Sequence, residues 1–190
     1  QVDSPARCLR RNLLEPGQDS CRQITLPRPV LDNDELAKIW HAGDTTDFAS
    51  AVIDGRYLVA DGGAALAEAL DRVRRESSEA IEAGARILIL SDRNADAEHA
   101  PIPSLLLTAA VHHHLIRTKQ RTDVGLLVET GDCREVHHAA LLVGYGAAGI
   151  NPYLAFETIE DEIAHGQLTG LDPAKAIASY VKAMSKGVLK

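Results

Sequence analysis

Two short, wholly apolar runs constrain this chain more than anything else in it: Ile87-Leu88-Ile89-Leu90 and Leu126-Leu127-Val128. Neither alternates polar with apolar residues, and both are short. Each therefore reads as a strand buried on both faces, the mark of a parallel sheet covered by helices. The first, Arg86–Leu90, ends in a polar turn at Ser91-Asp92-Arg93, and the second, Val124–Glu129, ends in Thr130-Gly131-Asp132. Between and around them the periodicity is helical. Over 64–83, Leu66, Leu70, Val73 and Ile81 recur at helical spacing, charges fill the opposite face, and Gly84 stands where a C-terminal cap belongs. Residues 103–117 are long enough for a helix and apolar on most sides.

The remaining elements follow from turn and cap chemistry. Asp32 with Glu35 three residues on predicts a capped helix to Trp40. Phe48–Ile53 reads as a strand running into the turn at Asp54-Gly55. A helix begins near Cys133, continues through His137-His138 and breaks at the glycines 144, 146 and 149. Residues 153–163 and 172–189 give two more helices, the second opened by Asp172-Pro173. Strand and helix thus alternate at roughly 35–40 residues per unit, which implies parallel strands joined by right-handed crossovers. Only three or so confident strands are present. The expected fold is therefore α/β, an incomplete (β/α) barrel-like domain with parallel strands. Residues 1–27 form an extended lead-in or interdomain segment, and 28–190 form the domain.

Composition excludes several classes. The formal net charge is -7 and aromatics are 4% of the 190 residues, which speaks against a polyanion surface or a stacking platform for nucleic acid. No apolar run approaches the about 18 residues a membrane span needs. The first thirty residues carry no signal-peptide core, so the expected setting is cytoplasmic. Cys8, Cys21 and Cys133 form no close pair, so no disulfide framework or redox CxxC is expected. The chain opens on Gln1 and stops at Lys190 within a helical pattern, as a piece of something longer would.

Five of the eight histidines lie between Pro101 and Tyr153, which invites a metal site. His112, His113 and His114 are each turned about 100° from the last on a helix, so they do not share a face. A zinc site joining His113 or His114 to His137 or His138 would have to cross two helices, and the HExxH spacing is absent. Gly144-Tyr145-Gly146-Ala147-Ala148-Gly149 has the spacing GxGxxG. The dinucleotide fingerprint also needs a strand before it, here Leu141–Val143, and a helix after it, where Pro152 stands instead. The alternative reading is a backbone that passes close to a neighbour. Glu129 ends a strand where β/α folds place functional groups. With Asp92, Arg93, Thr130, Asp132, Arg134 and Glu135 it reads as a polar network. Cys133 reads as an ordinary thiol.

Longer blocks carry a resemblance. Residues 87–93, 100–106, 110–117, 124–131 and 134–138, with Gly144-Tyr145-Gly146-Ala147 and Asn151–Ala155, are colinear with the central domain of the large subunit of glutamate synthase. The likeness runs from about residue 28 to 190. It implies a longer parent protein. In that implied parent an amidotransferase domain would lie before this one, an FMN-binding barrel with an iron–sulfur cluster would lie after it, and a β-helix would close the chain. A reductase subunit or ferredoxin would serve as its electron donor. This domain would link the glutaminase and synthase sites and help enclose the ammonia passage. It would hold no cofactor, metal or catalytic residue itself. Gly144, Gly146, Ala147, Ala148 and Gly149 become candidates for lining that passage. Two rivals stay open: a metal-dependent enzyme using His112–His114 with His137/His138, and a nucleotide-binding domain using Gly144–Gly149.

Overall fold

A computed structural model describes residues 24–44 and 48–190. The lead-in expected over 1–27 therefore lies outside the described residues up to position 23. The elements run α1 (Asn33–Trp40), β1 (Ser50–Asp54), β2 (Arg56–Leu58), α2 (Gly62–Glu82), β3 (Ile87–Ser91), β4 (His99–Pro101) and α3 (Ser104–Arg117). They continue with β5 (Gly125–Glu129), α4 (Val136–Gly144), β6 (Gly149–Asn151), α5 (Tyr153–Ala164) and α6 (Pro173–Val188). Short 3-10 turns lie at His41–Asp44 and Arg121–Asp123.

The main sheet is fully parallel, in the order β1-β3-β5-β6. Neighbours in space are neighbours in chain order, as in a β/α barrel wall, so the expected incomplete barrel-like α/β domain is what the chain forms. Beyond β6, Val30 makes one parallel bridge to Ile150. Two hydrogen bonds fix that bridge, Leu31 N to Ile150 O at 2.8 Å and Ile150 N to Pro29 O at 2.8 Å. A segment from the start of the chain thus occupies the edge that another strand would take in a closed barrel.

Register sorts the strand residues onto two faces. Ile53, Leu88, Leu90, Leu126, Val128 and Ile150 share one cluster with Val73 of α2, Val111 of α3, Leu142 of α4, Phe156 of α5 and Val181 of α6. Ile87, Ile89 and Leu127 point the other way and pack on Leu31 and on Leu36 and Ile39 of α1. The crossover helices thus cover the outer face, and α1 covers the face that a closed barrel would turn inward. This double cover is why β3 and the last four residues of β5 are buried throughout and why their sequence shows no alternation.

Local chemistry places α1. The Asp32 side chain accepts the Glu35 amide at 2.8 Å, and the Glu35 carboxylate accepts the Asp32 amide at 3.0 Å. In α2 the buried line is Ala65, Ala69, Val73, Ser77 and Ile81, with Leu66 and Leu70 only half-buried, so the helix seats its small residues against the sheet. Gly84 caps it at φ +108°. The helix expected from Cys133 begins at Val136, because residues 130–135 form the polar loop at the end of β5. Sequence reading missed the β2/β4 ribbon and β6. All three are only three residues long, and the ribbon's register of Arg56 with Pro101 joins residues far apart in the chain.

Ile89 is fully buried between sheet and α1. Ile89→Ala is expected to lower unfolding free energy by about 2–5 kcal/mol through transfer and cavity terms. Asp32→Ala, which removes only the cap, should lower it by about 1 kcal/mol. Urea denaturation measures both, and equal losses would contradict the packing role given to α1.

Candidate functional site

The carboxyl ends of the strands form one polar row. Asp54, Ser91, Glu129 and Asn151 stand in register across all four strands, on the α1 side. Ser91 Oγ donates to Glu129 Oε2 at 2.5 Å, and Arg93 Nε donates to Glu129 Oε1 at 2.6 Å. Arg93 continues to Glu157 on α5 at 2.9 Å and lies 4.1 Å from the centre of the Tyr153 ring. Asn151 donates to Leu31 O at 3.2 Å and to Asn33 Oδ1 at 3.0 Å, tying the row to the start of α1. Sequence reading had Ser91 and Asp92 in a polar turn. Both are buried, because Ser91 is the last residue of β3 and Asp92 turns under the next loop.

A second group lies beside this row. The Thr130 hydroxyl is 2.6 Å from Asp92 Oδ2 and 3.0 Å from Asp132 Oδ1. Asp92 also accepts the Gly131 amide at 3.0 Å, and Tyr153 lines the same cavity beside it. Asp132 accepts both the amide of Ser104, at 2.9 Å, and its hydroxyl, at 2.5 Å, which starts α3. Burial pushes the Asp92 carboxyl above the usual range against the pull of these donors, and Asp132 adds to the rise. A cavity of about 620 Å³ opens next to it, with Leu154, Ile159 and Tyr180 on its far side. The donors that reach Glu129, Asp92 and Asp132 come from the domain itself. The arrangement is a closed ion-pair and hydrogen-bond network, and its chemical capacity is to fix loops.

The histidines are divided between the two ends of the sheet. His112 Nδ1 accepts from Arg121 Nε at 3.0 Å, and Arg121 donates to Val124 O at 2.9 Å and Gly146 O at 2.8 Å, just before β5 and β6. His114 Nε2 lies 2.8 Å from Ser78 Oγ on α2. His113 is exposed and meets only the edge of His112. His138 sits beyond the other end of β5, accepting from the Arg134 amide at 3.2 Å and facing Glu135 at 3.4 Å, with His137 exposed beside it. The metal reading of His112–His114 with His137/His138 is corrected by this placement. No group of three His, Cys, Asp or Glu side chains converges to hold a metal among the described residues.

The glycine reading is also corrected. Leu141–Val143 lies inside α4, and the strand β6 begins at the last glycine, Gly149, so the order strand, glycines, helix is reversed. Close approach does explain two of them. A side chain at Gly146, whose φ is +108°, would strike the His112 ring. One at Gly149 would meet Leu127, Leu26 and Leu31 at 3.0–3.1 Å. Ala147 is buried in the outer core, whereas Gly144 and Ala148 are exposed.

The residues present do not fit FMN or an iron–sulfur cluster. The Gly131 amide, the donor nearest a phosphate site, is given to Asp92, and three carboxylates crowd that end of the sheet. Among the described residues Cys133 is the sole cysteine. It is buried, with its thiol pushed up to about 12 by burial and then by Asp132. The salt bridge expected between the two strand ends is present as Arg93–Glu129, with Thr130 and Asp132 beside it. Glu135 instead faces His138, and the Arg134 backbone bonds His138 and Tyr180. The role of Tyr153 and Ser104 in the network was missed, because both lie in other elements and carry no local signal.

The fold and this end of the sheet define a class: a β/α half-barrel whose strand-end carboxylates are consumed in holding it together. The chain belongs to the glutamate synthase central domain family, whose model matches residues 8–190. It is 40% identical over 182 residues to the large chain of the NADPH glutamate synthase of Bacillus subtilis, and 36% identical over 181 residues to the NADH glutamate synthase of Schizosaccharomyces pombe. It is 38% identical over 194 residues to ferredoxin-dependent glutamate synthase 2 of Synechocystis. These alignments cover 94–95% of this chain but only 9–12% of the relatives. No helix among the described residues is long and apolar enough to cross a membrane.

Two outcomes check the site. Thr130→Val leaves two carboxylates without their shared hydroxyl, and should lower stability by about 1–3 kcal/mol in denaturant titration. Acid should also destabilise the chain. Burial, then Arg121 and His113, hold His112 below the ordinary imidazole value. The unfolded chain takes up this proton from about pH 6.5 downward, before the folded chain does. In that window the unfolded state binds more protons, so stability falls as pH falls. His112→Gln keeps an acceptor for Arg121 without titrating. It should flatten part of the slope of thermal midpoint between about pH 7 and about pH 5. An unchanged slope would remove His112 as a contributor.

Proposed function

We propose that this chain serves as the spacer domain of a longer glutamate synthase. It holds a glutamine-hydrolysing site and a glutamate-forming site at a fixed distance and helps enclose the ammonia that passes between them. The parent reaction is glutamine with 2-oxoglutarate and a reductant giving two glutamates. FMN and an iron–sulfur cluster belong to the neighbouring barrel of that parent. The observation that carries this reading is the closed network at the carboxyl ends of the strands. Barrel enzymes place their reacting groups there, and here Glu129, Asp92 and Asp132 are each bonded by donors of the same domain. A rigid, doubly covered sheet suits a spacer, because a parallel sheet packed on both faces does not deform gradually.

Enclosure has its own physical reason. Ammonia that reaches bulk water is protonated and ceases to be a nucleophile. Among the small residues first considered as lining, Gly146, Ala147 and Gly149 are used by the domain's own core. Gly144 and Ala148 remain at the surface for close approach by a neighbouring domain. The relatives' names carry NADH, NADPH and ferredoxin at similar identities to this chain. The electron donor is accordingly chosen outside this domain.

The chain alone should neither release ammonia from glutamine nor form glutamate; ammonia release by the purified chain would sink the proposal. In the longer enzyme, Ala148→Trp should raise free ammonia severalfold per glutamate formed while glutamine hydrolysis persists. Product ratios measured side by side decide it, and an unchanged ratio counts against an enclosing role for this surface.

A further inference from the structure

We propose that a groove along α6 is the seat of an acidic amphipathic helix supplied by another part of the same longer polypeptide. This rests on the spacer reading above and names the contact through which the spacer is held. The groove encloses about 1080 Å³ between α6, α5 and the start of α1.

Its floor on α6 mixes small residues, Ala174, Ala178 and Ser185, with the apolar Ile177 and Val181, a surface on which a second helix can pack at about 8–10 Å between axes. Ser185 is 5% exposed, yet its hydroxyl bonds to nothing among the described residues. Arg28 Nε, on the opposite wall, is likewise buried and unbonded. A buried polar atom without a partner carries a penalty that an incoming acceptor removes.

The walls specify the occupant. Lys182, Lys186 and Lys190 follow one another at one-turn spacing along one rim, and none makes an ion pair among the described residues. Acidic side chains four residues apart on a helix lying beside α6 would meet them in step. The same acids provide acceptors for Ser185. The facing wall carries Asp32, Asp34 and Glu160, with Arg28 already paired to Glu35, so the occupant's far side must be neutral or basic. A polyanion such as nucleic acid, charged on every side, would be repelled from that wall. The source is the same polypeptide because the chain spans only 9–12% of the relatives it matches, leaving most of their length available to cover this face.

Amide hydrogen exchange tests this in the full-length glutamate synthase that carries the domain, compared with this chain alone. The amides of α6 should exchange about tenfold more slowly in the longer protein, since docking suppresses local opening. Lys182→Glu with Lys186→Glu, both exposed, should restore fast exchange on α6 in the longer protein. Unchanged exchange in β3 and β5 shows that the domain itself is intact. Equal α6 exchange in chain and longer protein overturns the proposal. So does protection that survives both the double substitution and high salt, which means a non-acidic occupant. Protection in the isolated chain that grows with its concentration also overturns it, in favour of a second copy. The exchange readout does not depend on ammonia leakage, so failure of the spacer reading and failure of this contact are told apart.

Discussion

A parallel sheet with apolar residues on both faces has to bury both, and in this chain the second face is closed by a single two-turn helix. The crossover helices follow from chain order, as they do in any β/α unit. The other face has no such guarantee. It is covered because residues 29–31 pair with the free edge of β6 and carry α1 across Ile87, Ile89 and Leu127. Much else depends on that step. Gly149 must lack a side chain for Leu26 and Leu31 to reach Leu127. Asn151 must face the start of α1 to bond Leu31 and Asn33. The capping box of Asp32 and Glu35 sets the helix at that point, and Arg28 reinforces it through Glu35 at 2.7 Å.

The polar row above this packing shows how position and chemistry come apart in β/α folds. Glu129 and Asp92 occupy the place where barrels react, and Asp92 has the raised carboxyl that often marks a working acid. The cause of the rise is burial. The surrounding bonds run to Ser91, Thr130, Gly131 and Arg93, all within the domain. Such a network is worth more for specifying loop positions than for net stability, because buried charges give back much of their attraction in lost hydration. At the opposite end of the sheet Arg121 plays a similar part. It binds His112 and two carbonyls and so locks the turns that feed β5 and β6. Both ends of the sheet are therefore fastened.

Much of this was legible in the sequence, for identifiable reasons. Ile87–Leu90 and Leu126–Val128 announce doubly buried strands because no polar residue fits either face. The α2 periodicity, Gly84, the Asp32 cap and the Asp172-Pro173 helix start are local signals, and each element lies within a few residues of where it was expected. The glycines at 146 and 149 suggested close approach, and the structure supplies the neighbours. The metal rival fails as helical spacing foreshadowed, because the histidines are divided between the two ends of the sheet. The nucleotide rival fails because a helix, not a strand, precedes the GxGxxG run.

The sequence by itself determined the helices, the longer strands with their parallel pairing and the family to which the chain belongs, since these rest on local periodicity and on long colinear blocks, whereas the three-residue strands β2, β4 and β6 were not legible. Only the tertiary structure decided which charges meet. Arg93 finds Glu129, Glu157 and the Tyr153 ring, Thr130 finds Asp92, and Asp132 finds Ser104, all across gaps in the chain that no local pattern spans. The physical reason is that hydrogen bonds and ion pairs are short-ranged while the chain distances are long. Whether a carboxylate at a strand end is free to react or spent on holding loops is fixed by packing. In this domain packing spends them on the scaffold.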